Sequence, residues 1–238
     1  MKTIGLLGGM SWESTLSYYS VINETVQQTL GGLHSAQCLL YSVDFAPLAQ
    51  YQEEGRWDEE ANVLTEAALC LEKAGADFIV ICSNTPHKVA PQIRNALRIP
   101  LLHIAEVTAD KLLLSHITKV GLLGTRYTLT ESFYRDILEA KGLAVVLPET
   151  SSIERLNSII FDELCLGITR EKSKAYYVRV IESMVAQGAQ GIILGCTELG
   201  ELIQSTDVSV PLFDTAYLHA RAAALYALSD DENRSRLP

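Results

Sequence analysis

The sequence lacks a long hydrophobic run and a basic cluster. No stretch approaches the roughly 18 consecutive apolar residues of a membrane-spanning helix. The apolar run at residues 4–7 is shorter than the core of a secretory signal peptide, so we expect none. The 29 acidic side chains outnumber the 19 basic ones, giving a formal net charge of −10. This charge argues against nucleic acid as a partner, and the chain is not expected to bind a membrane.

Metal-binding and nucleotide-binding signatures are also missing. The five cysteines are odd in number and have no metal-like spacing, which predicts free thiols in a reducing cytoplasm and no metal site. The Gly8-Gly9 turn fits neither a dinucleotide-binding nor a phosphate-loop fingerprint. The cysteines are Cys38, Cys70, Cys82, Cys165 and Cys196.

What the chain does contain is an internal repeat. The segment 75–85, GADFIVICSNT, returns at 188–198 as GAQGIILGCTE, so that Ser83 aligns with Cys196. Residues 2–8, KTIGLLG, return at 118–124 as TKVGLLG, and residues 100–103, PLLH, return at 211–214 as PLFD. The three matches keep their order along the chain, which indicates an internal duplication of an α/β unit. Hydrophobic residues make up 48% of the sequence, enough to give each half a core.

Short apolar runs alternate with helical patterns, which predicts an α/β fold with a parallel sheet in each half. We predict that the 58–74 helix buries Val63, Ala67, Cys70 and Leu71, and that a loop beginning at Asp44 carries Gln52 and Arg56. A polar tail at 230–238 is expected to be a loosely held extension. The predicted strands are 2–7, 37–43, a strand before Ser83, and 99–103; the predicted helices are 12–30 with Ser11 as N-cap, 58–74, one beginning near Pro86, and 106–115.

Two similar lobes are therefore expected, one formed by residues 1–97 plus 208–238 and the other by 98–207. In parallel sheets, ligand groups gather beyond the carboxyl ends of the strands. Gly8, Ser83, Gly124 and Cys196 all occupy such positions. The active site is accordingly predicted in the cleft between the lobes.

A thiol and a hydroxyl on opposite walls of a cleft suit racemisation without a cofactor. One group removes a proton from a carbon while the other supplies a proton to the opposite face. A cysteine thiol titrates near ~8.5, and backbone N–H groups at the start of a following helix are expected to lower the pKa of Cys196. The same N–H groups would hold a substrate carboxylate.

Two motifs resemble those of the aspartate/glutamate racemase family, and most closely its enterobacterial amino-acid racemase branch. The family's Cys-Asn-Thr-x-His segment corresponds to SNTPH at 83–87, and its Gly-Cys-Thr-Glu segment to GCTE at 195–198. The start, GLLGGMSWES at 5–14, is also similar, and the resemblance covers roughly residues 1–225. It implies a homodimer that needs no pyridoxal phosphate, acts on acidic amino acids, and uses Ser83 and Cys196 as acid and base.

The resemblance also suggests the residues that contact the substrate. His87 is a candidate partner for the Ser83 hydroxyl, and Arg56, Lys88 and Arg126 are candidates to hold a distal carboxylate. The predicted substrate-binding positions are Met10, Gln52, Asn84, Thr85, Thr125, Thr128, Thr197 and Glu198.

Ser83 departs from the family pattern, because the better-known members carry cysteine there. A serine hydroxyl is a poor base without a partner, so proton abstraction from the Ser83 side is expected to be slow. Two alternatives remain open at this point. The chain could be a superfamily decarboxylase or isomerase that uses only Cys196, or an amino-acid-binding relative that no longer turns over.

Overall fold

The computed structural model describes residues 1–229, so the predicted tail at 230–238 lies outside the described residues. The first half of the chain alternates strands and helices, as the sequence predicts. Its elements are β1 (Ile4–Gly8), α1 (Trp12–Leu30), β2 (Cys38–Ser42), α2 (Phe45–Glu54), α3 (Trp57–Lys73), β3 (Phe78–Ile81), a 3-10 helix (Thr85–Val89), α4 (Ala90–Ala96), β4 (Leu101–Leu102) and α5 (Ile104–Leu114).

The second half repeats this alternation. Its elements are β5 (Lys119–Gly124), α6 (Arg126–Thr130), α7 (Ser132–Ala140), β6 (Ala144–Val146), α8 (Thr150–Asp162), a 3-10 helix (Leu164–Leu166), α9 (Glu171–Ala186), β7 (Ile192–Gly195), α10 (Leu199–Leu202), β8 (Leu212–Asp214) and α11 (Thr215–Leu228).

The chain divides into two compact units. One contains Met1–Val107 and the described residues from His219 onward, and the other contains Thr108–Leu218. The chain therefore passes from the first unit to the second within α5 and returns within α11. The repeat predicted boundaries after residues 97 and 207, which are earlier in the chain than the two boundaries of the compact units. The predicted lobes therefore stay a prediction.

Each unit contains a four-stranded sheet in which every pair of neighbours is parallel. The strand order is β2-β1-β3-β4 in the first sheet and β6-β5-β7-β8 in the second. The order is the same once the strands are matched by the sequence repeat. The predicted α/β class and its two parallel sheets are thus confirmed.

The repeat extends to the register of the central strands. Gly5 pairs with Ile79 in the first sheet, and their repeat partners Gly121 and Ile192 pair in the second. A Cβ atom at Gly5 would lie 2.8 Å from Ile79 Cδ1, and one at Gly121 would lie 2.6 Å from Ile192 Cδ1. Because atoms cannot approach that closely, a larger residue at either position would have to displace the isoleucine side chain on the neighbouring strand.

Two local predictions differ from the structure. The segment after Asp44 is helix α2 rather than a loop, since Asp44 caps it by accepting a hydrogen bond from Ala46 N at 3.2 Å. Pro47 falls in the first turn of this helix, where its missing N–H has no helical acceptor. In α3, Ala67 and Leu71 are buried as predicted, but Val63 and Cys70 are exposed. The rest of the buried face is formed by Glu60, Ala61, Leu64 and Ala68.

Other boundaries follow the sequence closely. Helix α1 spans Trp12–Leu30 as predicted, and the Ser11 hydroxyl caps it by accepting a hydrogen bond from Ser14 N. The predicted strand at 99–103 is reduced to β4, and the helix predicted near Pro86 begins as a 3-10 turn before α4. None of the helices within residues 1–229 combines the length and the apolar character that a membrane span requires.

Candidate active site

Ser83 lies just beyond the carboxyl end of β3, as predicted, and is half-buried. The preceding Cys82 turns the other way into the core, with its thiol 3.8 Å from the Val80 carbonyl oxygen. The hydroxyl of Ser83 makes no hydrogen bond to any residue that the structure describes, and Asn84 occupies the cap position of the following 3-10 helix. Ser83 is therefore not a helix cap. Asn84 and Thr85 follow it directly and are both buried.

His87 does not contact the hydroxyl of Ser83. Its Nδ1 lies 2.8 Å from the Ser83 carbonyl oxygen, and its Nε2 lies 3.3 Å from the backbone nitrogen of Ile104. Because the carbonyl only accepts and the N–H only donates, the proton of the neutral ring is on Nδ1. The expectation that His87 assists the Ser83 hydroxyl is therefore wrong. The ring instead fixes the backbone after β3 to the start of α5.

Two further histidines pack against His87. The ring centroids of His87 and His103 are 4.5 Å apart, and those of His87 and His219 are 5.6 Å apart. Burial, followed by these neighbouring rings, lowers the pKa of His87 well below its usual value. Burial also lowers the pKa of His103 to about 3 and that of His219 to about 4. All three rings are neutral near pH 7.

Cys196 follows β7 in the second unit, in the position that Ser83 holds in the first. Its thiol donates a hydrogen bond to Glu198 Oε2 at 2.9 Å, and the Thr197 hydroxyl donates to the same oxygen at 2.6 Å. Cys196 is only 7% exposed. A thiol, a hydroxyl and a carboxylate from three consecutive residues thus meet at the end of one strand.

The environment of Cys196 raises the pKa of its thiol well above the usual value. Burial is the main cause, and the carboxylate of Glu198 and the thiol of Cys165 raise it further. The prediction of a lowered pKa is wrong, because the helix after Cys196 is the single turn α10 and the nearest charge is negative. In the resting protein Cys196 is therefore a protonated thiol that is hydrogen-bonded to the Glu198 side chain.

Gln52 is buried on α2, where it is 3% exposed, and its Nε2 donates to Glu60 Oε1 at 2.8 Å. Glu60 was not among the sequence-predicted site residues. In the sequence, Glu60 stands out as an acidic residue on the apolar face of α3, four residues before Leu64. The prediction placed the buried face of this helix on other residues, so Glu60 was not recognised. Met10, another predicted contact, is 2% exposed and belongs to the same apolar cluster as Leu48 and Leu64.

Comparison with known proteins identifies the family. The model of the Asp/Glu/hydantoin racemase family matches residues 7–223. The chain belongs to this family. It is therefore related to racemases over almost its whole length, and its enzyme class is isomerase.

Three relatives illustrate the similarity. The broad-specificity amino-acid racemase RacX of Bacillus subtilis (strain 168) is 26% identical over 223 residues, covering 92% of this chain and 95% of that protein. A crystal structure from Yersinia pestis, described as a candidate Asp/Glu racemase, is 53% identical with a TM-score of 0.91 and covers 96% of this chain and 100% of that one. An aspartate racemase homologue from Pyrococcus horikoshii OT3 is 39% identical with a TM-score of 0.84 and the same coverage.

Thr125 and Thr128 are close together in this member of the racemase family. Thr125 caps α6 by accepting a hydrogen bond from Thr128 N at 3.4 Å, and the two hydroxyl oxygens are 3.3 Å apart. Both side chains are buried. They thus stabilise the turn after β5, and substrate binding by them stays a prediction.

The three basic candidates each have partners within their own unit of the racemase fold. Arg56 pairs with Glu54 and Glu59, Lys88 lies 3.7 Å from the centroid of the Trp57 ring, and Arg126 lies 3.6 Å from Glu154. Exposed ion pairs of this kind contribute at most about 1 kcal/mol. A role for Arg56, Lys88 or Arg126 in holding a distal substrate carboxylate stays a prediction.

Proposed function

We propose that this protein interconverts the L and D forms of an amino acid by moving protons at Cα, without pyridoxal phosphate. Cys196 and Ser83 serve as the two proton-transfer groups, one for each face of Cα. The observation that carries the proposal is the hydrogen bond between the Cys196 thiol and Glu198. Membership of the racemase family supports the reaction class.

The starting state of Cys196 defines the first step. Its raised pKa means that the thiol carries its proton before the substrate arrives, and a thiol is a weak base. We infer that Glu198 Oε2, already hydrogen-bonded to the thiol, accepts this proton when the substrate is bound. The resulting thiolate removes the Cα proton, and the Ser83 hydroxyl donates a proton to the opposite face. Ser83 then regains a proton from solvent as Glu198 releases the one that it accepted. In the reverse direction Cys196 donates the proton and Ser83 must act as the base.

Ser83 is a weaker base than Cys196, so proton abstraction by Ser83 is the slower of the two abstraction steps. A hydroxyl with no hydrogen-bonded base among residues 1–229 is a poor proton acceptor. Abstraction from the Cys196 side is therefore the faster of the two. Since the enantiomers have equal free energies in water, the two directions share one kcat/KM, and the asymmetry shows in kcat, in KM and in exchange without turnover.

An acidic amino acid is the first substrate to test, since relatives are described as Asp/Glu or aspartate racemases. RacX is described as having broad specificity, which makes a wider panel necessary. Asn84, Thr85 and Thr197 are proposed to hold the α-carboxylate and ammonium groups. Met10, Gln52, Glu198, Thr125 and Thr128 complete the proposed substrate contacts.

Deuterium exchange tests the function directly. The protein is incubated in deuterated water with each common amino acid, beginning with L- and D-aspartate, and incorporation at Cα is followed by mass spectrometry. Exchange from at least one enantiomer is expected. Absence of exchange across the panel would overturn the racemase proposal in favour of a binding protein. Release of carbon dioxide from a malonate, without exchange of any amino acid, would indicate the decarboxylase alternative.

The assembly and location are proposed on separate grounds. A homodimer follows from the family resemblance, and its mass in solution can be measured by light scattering. All five cysteines are free thiols, which supports the proposed cytoplasmic location.

A further inference from the structure

Glu60 is the most deeply buried carboxylate beside a proposed substrate contact. Helices α2 and α3 are connected by Gly55 and Arg56, and this connection places Gln52 and Glu60 side by side. Glu60 is 0% exposed. One of its oxygens, Oε1, accepts from Gln52, whereas Oε2 has no hydrogen-bond partner within residues 1–229.

A carboxyl group in this position is costly. Removing a carboxylate from water into apolar surroundings costs several kcal/mol unless it is paired, and a leucine or glutamine would fill the space without that cost. Burial raises the pKa of Glu60 to about 7, although the Gln52 hydrogen bond and the charge of Lys88 both lower it. Lys88 lies on the 3-10 helix that follows Ser83, and Arg56 is occupied by Glu54 and Glu59. Groups with such perturbed ionisation concentrate at functional sites.

The carboxylate decides which way the Gln52 amide faces. Above its pKa of about 7, Glu60 is an ionised carboxylate that can only accept hydrogen bonds, so it holds the Nε2 group of Gln52 on its own side. The carbonyl oxygen Oε1 of Gln52 then points the other way, and it accepts no hydrogen bond from the described part of the chain. A fixed acceptor of this kind selects a donor, and the ammonium group of an amino acid is a strong one.

We propose that Glu60 is a positioning residue that orients the Gln52 carbonyl oxygen toward the ammonium group of the substrate. The inference rests on the proposed function, in which Gln52 contacts the substrate. It adds a reason why an amino acid is preferred over the same acid without its amino group. A neutral glutamine at position 60 can both donate and accept, so it would let the Gln52 amide turn over.

The test compares Glu60→Gln with Glu66→Gln, which makes the same change at an exposed position of α3. The probes are an amino acid that the wild-type protein exchanges and its analogue without the amino group: L-aspartate with succinate, L-glutamate with glutarate, or L-alanine with propionate. Glu60→Gln is expected to raise KM for the amino acid about tenfold, the usual scale for a hydrogen bond to a charged group, with little change in kcat. Inhibition by the analogue should remain unchanged.

Gln52→Leu shows whether Glu60 acts through Gln52. This variant should raise KM as much as Glu60→Gln does, and the double variant should be no worse than Gln52→Leu alone. Losses that multiply would overturn the inference, as would an equal loss of amino-acid and analogue binding or an unchanged KM. If Glu60→Gln does not fold, Gln52→Leu still shows whether the Gln52 carbonyl oxygen binds the ammonium group. The measured quantity is the ratio of the affinities for the amino acid and for its analogue.

The two proposals fail in different ways. If the wild-type protein exchanges no amino acid, the proposed function fails and the role of Glu60 fails with it. If the wild-type protein exchanges and Glu60→Gln behaves like Glu66→Gln, only the role of Glu60 is overturned.

Discussion

The thiol of Cys196 lies 2.9 Å from Oε2 of Glu198, the oxygen to which the hydroxyl of Thr197 also donates. The pair couples a buried proton donor to a carboxylate two residues further along the chain. The chain leaves β7 at Gly195 and turns into α10 at Leu199, and this turn brings the side chains of Cys196 and Glu198 together. The pair defines the resting state of Cys196, and the proposed mechanism begins with it.

Removal of the Cys196 thiol should abolish proton exchange. Cys196→Ala is expected to reduce exchange by about 10²–10⁴-fold, the usual contribution of a general acid or base, while the melting temperature changes little. Cys70→Ala, at an exposed position of α3, is the matched control and should exchange as the wild type does. Wild-type exchange in Cys196→Ala would refute the assignment.

Loss of the Glu198 charge should make the Cys196 thiol easier to ionise and should slow proton exchange. Because the carboxylate raises the pKa of the thiol, Glu198→Gln should lower that pKa. The ultraviolet absorbance of the thiolate, taken as the difference from Cys196→Ala, should therefore rise at lower pH. Exchange should nevertheless fall, because the acceptor of the thiol proton is gone. A higher exchange rate at neutral pH would show that Glu198 only suppresses the thiolate.

Two substitutions distinguish the possible roles of Ser83. Since its hydroxyl is bonded to none of the residues 1–229, Ser83→Ala should change the free energy of unfolding by no more than about 0.5 kcal/mol. It should stop interconversion while leaving exchange from the Cys196 side. Ser83→Cys should bring the two abstraction rates closer together, as measured by deuterium incorporation into each enantiomer. If neither change alters the exchange kinetics, Ser83 does not transfer protons.

The buried histidines should make the protein less stable in mild acid. His87, His103 and His219 have folded pKa values below the unfolded value of about 6.5, so the unfolded chain binds more protons as pH falls. Their stabilising contribution is present above pH ~6.5 and is lost as pH falls toward the folded values of about 3 and about 4 for His103 and His219. At pH ~5 the loss is about 2 kcal/mol per histidine.

Urea unfolding at several pH values measures this effect. Glu60 has the opposite effect on the pH dependence of stability. Its pKa in the folded protein is raised to about 7, so its stabilising contribution is lost as the pH rises through that value. Glu60→Gln should therefore steepen the fall in stability between pH ~7 and ~5. Replacement of the exposed His34 should leave the slope unchanged. A stability that is independent of pH in this range would contradict the burial of three neutral rings.

Local signals predicted those parts of the fold that depend on neighbouring residues. Ser11 caps α1 as predicted, because N-capping uses a side chain next to the first turn of the helix. The prediction of a loop after Asp44 failed for a related reason. Aspartate and proline favour turns and helix starts alike, and the burial of Leu48 and Gln52 decides for the helix.

The sequence by itself determined the duplication, the α/β class and the positions of Ser83 and Cys196 at equivalent strand ends. Those features follow from periodicity and from the repeat. Only the tertiary structure decided that Glu60 meets Gln52, that the His87 ring bonds to backbone rather than to the Ser83 hydroxyl, and that the pKa of Cys196 is raised. Each of these depends on burial and on charges brought together by packing, which determine ionisation more strongly than the identity of adjacent residues.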